Sequence, residues 1–259
     1  MFSKFFKGSG SHGSSVVVRT TIAGAALAAA ACVGLAGTAS ASVVTWGSPT
    51  DVSGNADVST AGTLVSAYNF YGTTPVVSPV VNGVTFTGLD LPANQAKITF
   101  GGDTLASTAS MSSYANYGAP SNFSSEYQTL LTSAFYSAGT ADPFTLTLNN
   151  LTPGANYNFE VWVNDARSLA TDRAETVSSG NSVSLAFNTG TLGAGQFVLG
   201  TFTADSTAQQ VITFTGNSNT GAQINGFQLR VVPVPEPATL GLVAVGGLGL
   251  LLLGKRRRV

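Results

Sequence analysis

The chain has 259 residues, only 9% of them charged, and its single histidine (His12) and single cysteine (Cys32) both precede residue 42. Everything beyond that point lacks both residue types, which excludes a Ser-His-Asp triad, a cysteine nucleophile, His- or Cys-ligated zinc, haem, iron–sulfur clusters and disulfides. Residues 42–232 set four basic side chains (Lys97, Arg167, Arg173, Arg230) against eleven acidic ones, a net charge of −7. With no basic stripe, no nucleic-acid partner is expected.

Lys4, Lys7 and Arg19 precede a small-residue apolar stretch over 22–37, and Ala39-Ser40-Ala41 follows. A basic region, an apolar region and an A-x-A site in that order predict a secretory signal peptide over 1–41, with Ala39 and Ala41 forming the cleavage site.

Short stretches of alternating apolar and polar residues then recur between Gly/Asn/Pro turns. Strands are predicted at 43–46, 64–67, 83–87 and 97–100. The Ser/Asn-rich stretch 107–127, with Tyr114, Tyr117 and Tyr127, reads as a long surface loop suited to glycan contact. Ser125 and Gln128 fit a capping box, and Tyr127, Leu130, Leu131 and Ala134 share a helical face. One short helix is therefore expected across an end of the fold. Further strands are predicted at 144–148, 157–163, 182–187, 196–202, 210–215 and 226–231. In the second of these Tyr157, Phe159, Val161 and Val163 point one way, Asn158, Glu160 and Trp162 the other. The fold class is all-β: a single jelly-roll-like β-sandwich over 42–232 with one short helix.

Residues 233–259 read differently. Pro233-Val234-Pro235-Glu236-Pro237 resists helix formation. Residues 238–254 are free of charge, and Lys255-Arg256-Arg257-Arg258 follows. Seventeen residues give a helix about 25 Å long, the short end of a bilayer span. The cationic cluster keeps that end cytoplasmic and puts everything upstream outside. Val234-Pro235-Glu236-Pro237, the Gly/Leu-rich span and Arg256, Arg257 and Arg258 resemble the PEP-CTERM sorting signal of exported proteins in Gram-negative, exopolysaccharide-producing bacteria. The resemblance implies passage through the inner membrane. It also implies handling by an exosortase, a membrane-embedded cysteine transpeptidase-like enzyme that cuts near Pro-Glu-Pro, with the product released or attached at the cell surface. A plain single-span anchor has the same orientation and differs in keeping its tail.

Leu148-Asn149-Asn150-Leu151-Thr152-Pro153-Gly154-Ala155-Asn156-Tyr157 and Val161-Trp162-Val163-Asn164-Asp165-Ala166-Arg167 resemble a second group, the galactose-binding-like jelly rolls of many carbohydrate-binding modules. No ligand residue is carried over from it.

Candidate sites follow from residue chemistry. Asn164-Asp165-Ala166-Arg167 and Asp172-Arg173-Ala174-Glu175 flank one loop. Asp165 and Arg167 suit sugar hydroxyls, Asp165 and its neighbours suit calcium, and ion pairs that fix the loop are the plainer reading. Trp162 is either an outward stacking platform or a residue buried beneath a loop or the helix. Glu160, mid-strand, stands out among the acids as a partner for glycoside hydrolysis, though no context selects a pair. The expectation is a non-enzymatic surface or matrix protein, with no catalytic or metal-ligating residue assigned and no cofactor beyond calcium. Its partners would be exosortase, the inner membrane and exopolysaccharide. It acts either as a glycan-binding module using Asp165, Arg167 and Trp162 or as a structural coat without a ligand.

Overall fold

The alternation of apolar and polar side chains resolves into a β-sandwich whose inner faces carry the alternating apolar residues. The computed structural model describes residues 42–233 except 72–74, 138, 140–141, 168–171, 190–192 and 218–220. The signal peptide, the sorting residues from Val234 onward and the helix expected at 238–254 lie outside the described residues. No helix among the described residues is long and apolar enough to cross a membrane.

In chain order the first strands are β1 (Thr45–Trp46), β2 (Thr50–Asp51), β3 (Thr63–Tyr71), β4 (Val80–Val81), β5 (Val84–Thr85), β6 (Thr87–Asp90), β7 (Gln95–Phe100) and β8 (Asp103–Tyr114). Helix α1 (Ser125–Thr132) follows, then β9 (Ala134–Ser137), β10 (Phe144–Leu148), β11 (Asn156–Val163), β12 (Ala174–Ser179) and β13 (Asn181–Ala186). The last strands are β14 (Gln196–Thr203), β15 (Gln210–Gly216), β16 (Gln223–Ile224) and β17 (Gly226–Val232). One sheet runs β1-β14-β11-β17-β3-β6, with β2 also on β14; the other runs β13-β12-β15-β10-β8-β9-β16, with β7 on β8. From β10 onward the chain crosses repeatedly between the two sheets, the wrapping that a jelly-roll-like sandwich requires.

Between the sheets lies one apolar core. Phe159, Val161, Val163 and Phe227 face Leu105, Phe135, Leu146, Ile212 and Phe214. Each fully buried side chain of this kind contributes about 1.5–3 kcal/mol. Aromatic pairs on neighbouring strands reinforce the register: Phe144 stacks on Phe214 at 4.8 Å and Tyr157 on Phe202 at 5.4 Å. β7 borders its sheet and carries Lys97, exposed, a charge that discourages pairing with another chain.

A second, smaller core covers the outer face of the β11 sheet. Trp162, Ala67 and the edge of Phe197 lie beneath Val52, Val58, Phe86 and the α1 residues Tyr127, Leu130 and Leu131. The β4–β5 hairpin that supplies part of this cover turns on Asn82-Gly83, both with positive φ (48° and 76°), the geometry of a tight two-residue turn. Gly226 admits the helix. A Cβ there would stand 2.6 Å from Leu130 Cδ1 and 2.8 Å from the Tyr68 carbonyl.

Three local expectations are corrected. The helix is capped by Ser124, whose Oγ accepts from Tyr127 N at 3.2 Å, and not by Ser125. Gln128 donates instead to the Phe123 carbonyl at 2.7 Å, and Ala134 belongs to β9. The helix lies over a sheet face and not across an end of the sandwich, because Leu130 sits on Gly226 in a central strand. The stretch 107–127 is no long loop: β8 continues to Tyr114, paired with β7, β9 and β10. Tyr117 and Tyr127 are buried.

Candidate functional site

The end of β11 beyond Val163 collects most of the buried polar groups. Val163 is the last inward apolar residue of the strand, and Asn164 and Asp165 follow with no accessible surface. Asn164 Nδ2 donates to the Gly118 and Leu131 carbonyls at 2.7 and 2.9 Å, and its Oδ1 accepts from Gly195 N at 2.9 Å. Asn225, between β16 and β17, accepts from Asn164 N at 2.7 Å and donates to the Leu131 and Ser133 carbonyls at 2.7 and 2.9 Å. Gln223 completes the mesh through the Asn164 carbonyl at 2.6 Å. These amides satisfy the carbonyls at the close of α1, where no intrahelical partner exists. Glu175, on β12, accepts from Gln223 N at 2.7 Å, and burial pushes its carboxyl well above the ordinary carboxylate range.

Asp165 organises the surface above this mesh. Its Oδ1 accepts from Arg167 N at 3.2 Å and from Arg167 Nε at 2.7 Å, while its Oδ2 takes Arg167 Nη2 at 2.7 Å and Arg173 Nη1 at 2.5 Å. The Asp165 side chain is 0% exposed, those of Arg167 and Arg173 39% and 25%. The Arg167 guanidinium lies over the rings of Tyr114 and Tyr117, 5.0 and 4.8 Å from their centroids. That geometry combines a charge-assisted fork with cation–π contact. Hydrogen bonding to Asp165 raises Arg167 further above its already high range. Burial, with the Asp165 charge beside it, pushes the Tyr117 hydroxyl well above the usual tyrosine range.

A second polar row crosses the middle of the same sheet's outer face. Glu160 Oε2 accepts from Ser59 N at 3.1 Å and from Gln228 Nε2 at 2.5 Å. Arg230 donates to the carbonyls of Thr60, Ala61 and Gly62 at 3.0–3.1 Å. Both side chains are nearly inaccessible, and together they hold the strap 59–62 against the sheet. Burial pushes the Glu160 carboxyl up to about 7.

At the opposite end of β11 lies an open groove of about 370 Å³. It is lined by Thr45, Asn156, Asn158, Thr201 and Thr203, with Val43 and Val232 at its border. Its side chains are hydroxyls, amides and valines, without charge.

The sequence candidates therefore separate. Asp165 and Arg167 meet, as the loop-fixing ion-pair reading anticipated, and Arg173 joins them from eight residues away. Trp162 has 0% exposure and packs edge-on against Phe86 at 5.5 Å, so of its two readings burial is the observed one, and no sugar can stack on it. Asp165, central to the calcium reading, spends both oxygens on arginine. No group of three or more His, Cys, Asp or Glu side chains among the described residues is placed to hold a metal ion. Sequence reasoning missed Tyr114 and Tyr117 as the aromatic bed of Arg167. It also missed the Asn164–Asn225–Gln223 mesh, since nothing local to Asn225 distinguishes it from a turn residue.

Residues 233–258 match the PEP-CTERM protein-sorting motif. That match marks an exosortase-sorted, exported protein with a C-terminal membrane anchor before processing, and the motif begins directly behind β17. No curated protein matches the chain. One similar solved structure bears the description "Structural basis for the promiscuous specificity of the carbohydrate-binding modules from the beta-sandwich super family"; it shares 13% identity over 72% of this chain and 99% of that chain, with a TM-score of 0.16.

Proposed function

We propose that this exosortase-sorted surface protein contacts extracellular polysaccharide, without catalysis, through Arg167 and Tyr114, which lie above the buried ring of Tyr117. The observation that carries the reading is the fixed guanidinium. Asp165, buried beneath the surface, locks Arg167 in a plane against two tyrosine rings while leaving part of it in water. A pre-positioned planar donor beside an aromatic edge suits a sugar ring, whose hydroxyls accept hydrogen bonds and whose C–H faces pack on aromatic carbon.

Position supports the same reading. β11 and β17 are antiparallel, with Asn156 opposite Val232 and Trp162 opposite Gly226. The sorting motif begins at the Val232 end, and the Arg167 patch lies past the other end of β11, a strand length away, about 25 Å. The galactose-binding-like resemblance of the β10–β11 turn adds to this. A net charge of −7 over residues 42–232 favours a neutral polysaccharide over an anionic one.

The test uses the exported protein and the exopolysaccharide of its own producer in a pull-down or glycan array. Binding that drops at least tenfold in Arg167→Ala and in Tyr114→Ala, with melting temperatures held, supports the proposal. Absence of binding in the parent protein leaves the structural-coat reading in its place. Release of reducing ends, abolished in Glu160→Gln, would make the protein a hydrolase instead.

A further inference from the structure

The end of the β11 sheet that carries the sorting motif exposes aliphatic side chains. Val43 and Val65 are 52% and 53% exposed and Leu64 39%. All three sit at the edge from which Pro233 departs. Leu64 and Thr63 pair with Arg230 and Val231, the last residues of β17 but one. Val43 borders the same groove as Val232 and Thr203, and Ser42 is fastened there by donating to the Thr203 carbonyl at 2.6 Å. Val65 is exposed for a backbone reason. Opposite consecutive residues Leu229 and Arg230 the register jumps from Ser66 to Leu64, leaving Val65 as the extra residue of a β-bulge. Arg230, the basic side chain nearest Pro233 along the chain, is turned inward to three carbonyls. The rim sets these aliphatic side chains among threonine hydroxyls and asparagine amides, and Arg230 adds no outward charge to it.

The chain beyond this rim limits what can meet it. Five residues, 233–237, three of them proline, separate β17 from the uncharged stretch 238–254. In polyproline geometry they span about 16 Å. A lipid headgroup layer takes up about 5–8 Å of that. With residues 238–254 embedded, the folded domain would be held within about 10 Å of the bilayer surface, and the rim nearest the bilayer would be the one with Val43, Leu64, Val65 and Val232.

We propose that this rim docks on the lipid bilayer while residues 238–254 are membrane-embedded, so that the precursor stands upright with its Arg167 end outward. The partner is the interfacial region of a lipid bilayer, engaged by aliphatic side chains and not by charge. Tethering makes weak contacts count, because a short linker holds the surface at millimolar effective concentration or above. The contact is independent of salt, since no lysine or arginine side chain makes it. It rests on the reading of 238–254 as a membrane segment.

The exported precursor, purified from a host without exosortase so that residues 233–259 are kept, carries Cys32→Ser where the signal segment remains. Val65→Cys or Ser121→Cys then supplies the sole thiol for a bimane label. It is reconstituted in phosphatidylcholine vesicles containing headgroup-nitroxide lipid. The expected result is quenching at least threefold greater at position 65 than at position 121, unchanged between 50 and 500 mM NaCl. Introducing Val43→Ser and Leu64→Ser together should at least halve the quenching at position 65 while the melting temperature stays put. Equal quenching at the two positions, or quenching unaffected by the double substitution, overturns the docking proposal even when the protein floats with the vesicles. Failure to float overturns the membrane-segment reading and the docking with it.

Discussion

Asn156 and Val163 begin and end one strand, yet the two ends of the sandwich they mark are made of different materials. Around Asn156 the groove is made of threonine hydroxyls, asparagine amides and exposed valines, between Ser42 and Pro233. Past Val163 the structure is locked by buried amides, a buried aspartate shared by two arginines, and a helix packed on Trp162. The difference shows where rigidity has been placed. The anchored end needs a surface that tolerates company, whereas the free end needs side chains that hold their positions unaided.

Substitution tests that contrast directly. Trp162→Ala removes the largest side chain of the outer core and should cost about 3–5 kcal/mol in urea unfolding. A loss under 1 kcal/mol would mean that the helix is not bound through it. Asp165→Ala removes the buried carboxylate that Arg167 and Arg173 share and should cost about 2 kcal/mol, less than a fully buried pair because both guanidinium groups reach water. It should also loosen the Arg167 stacking, visible as a near-ultraviolet tyrosine change.

Between the two ends lies a pH effect. Glu160, raised to about 7, and Asp103, raised to about 6 by burial, bind protons more tightly when folded than when unfolded. Their contribution is therefore full below the unfolded carboxylate range and is lost as pH rises through the folded values. Stability should fall between about pH 4.5 and pH 7.5, by about 3 kcal/mol for Glu160 alone. Glu160→Gln should flatten the melting temperature over the upper part of that window, and an unchanged slope would remove Glu160 as its source. Gly226→Ala pushes a methyl into Leu130 and the Tyr68 carbonyl, and should cost about 1–3 kcal/mol. At the anchored end, Val43→Ser and Leu64→Ser should each change stability by less than about 0.5 kcal/mol. Larger losses there would erase the asymmetry.

Much of this was visible in the residue pattern, and what was not has specific causes. Period two placed Trp162 opposite Phe159 and Val161 correctly, because β11 is paired on both sides and cannot twist out of phase. Burial of Trp162 beneath a loop or the helix was one of its two readings, but the particular covering residues were not visible, since they come from segments 30 to 110 residues away. The helix was found from its apolar spacing, but the capping-box pattern pointed to Ser125, whereas tertiary contact favours Ser124, whose Oγ also donates to Asn55 Oδ1 at 2.7 Å. β8 escaped notice because its middle is Ala, Ser and Thr. Only Leu105 and Met111 carry its apolar signal, and the strand is specified by neighbours on both edges. The Asp165–Arg167 pair lay two residues apart and was legible. Arg173 and the tyrosine bed required the fold.

The place of β17 has a consequence for timing. It is the last strand before the sorting segment, and it lies between β11 and β3 in the interior of its sheet. A polypeptide threaded outward amino end first must hold β3 and β11 unfinished until nearly its whole length has emerged. Until β17 slots home, the emerging domain has a gap where its central ribbon belongs.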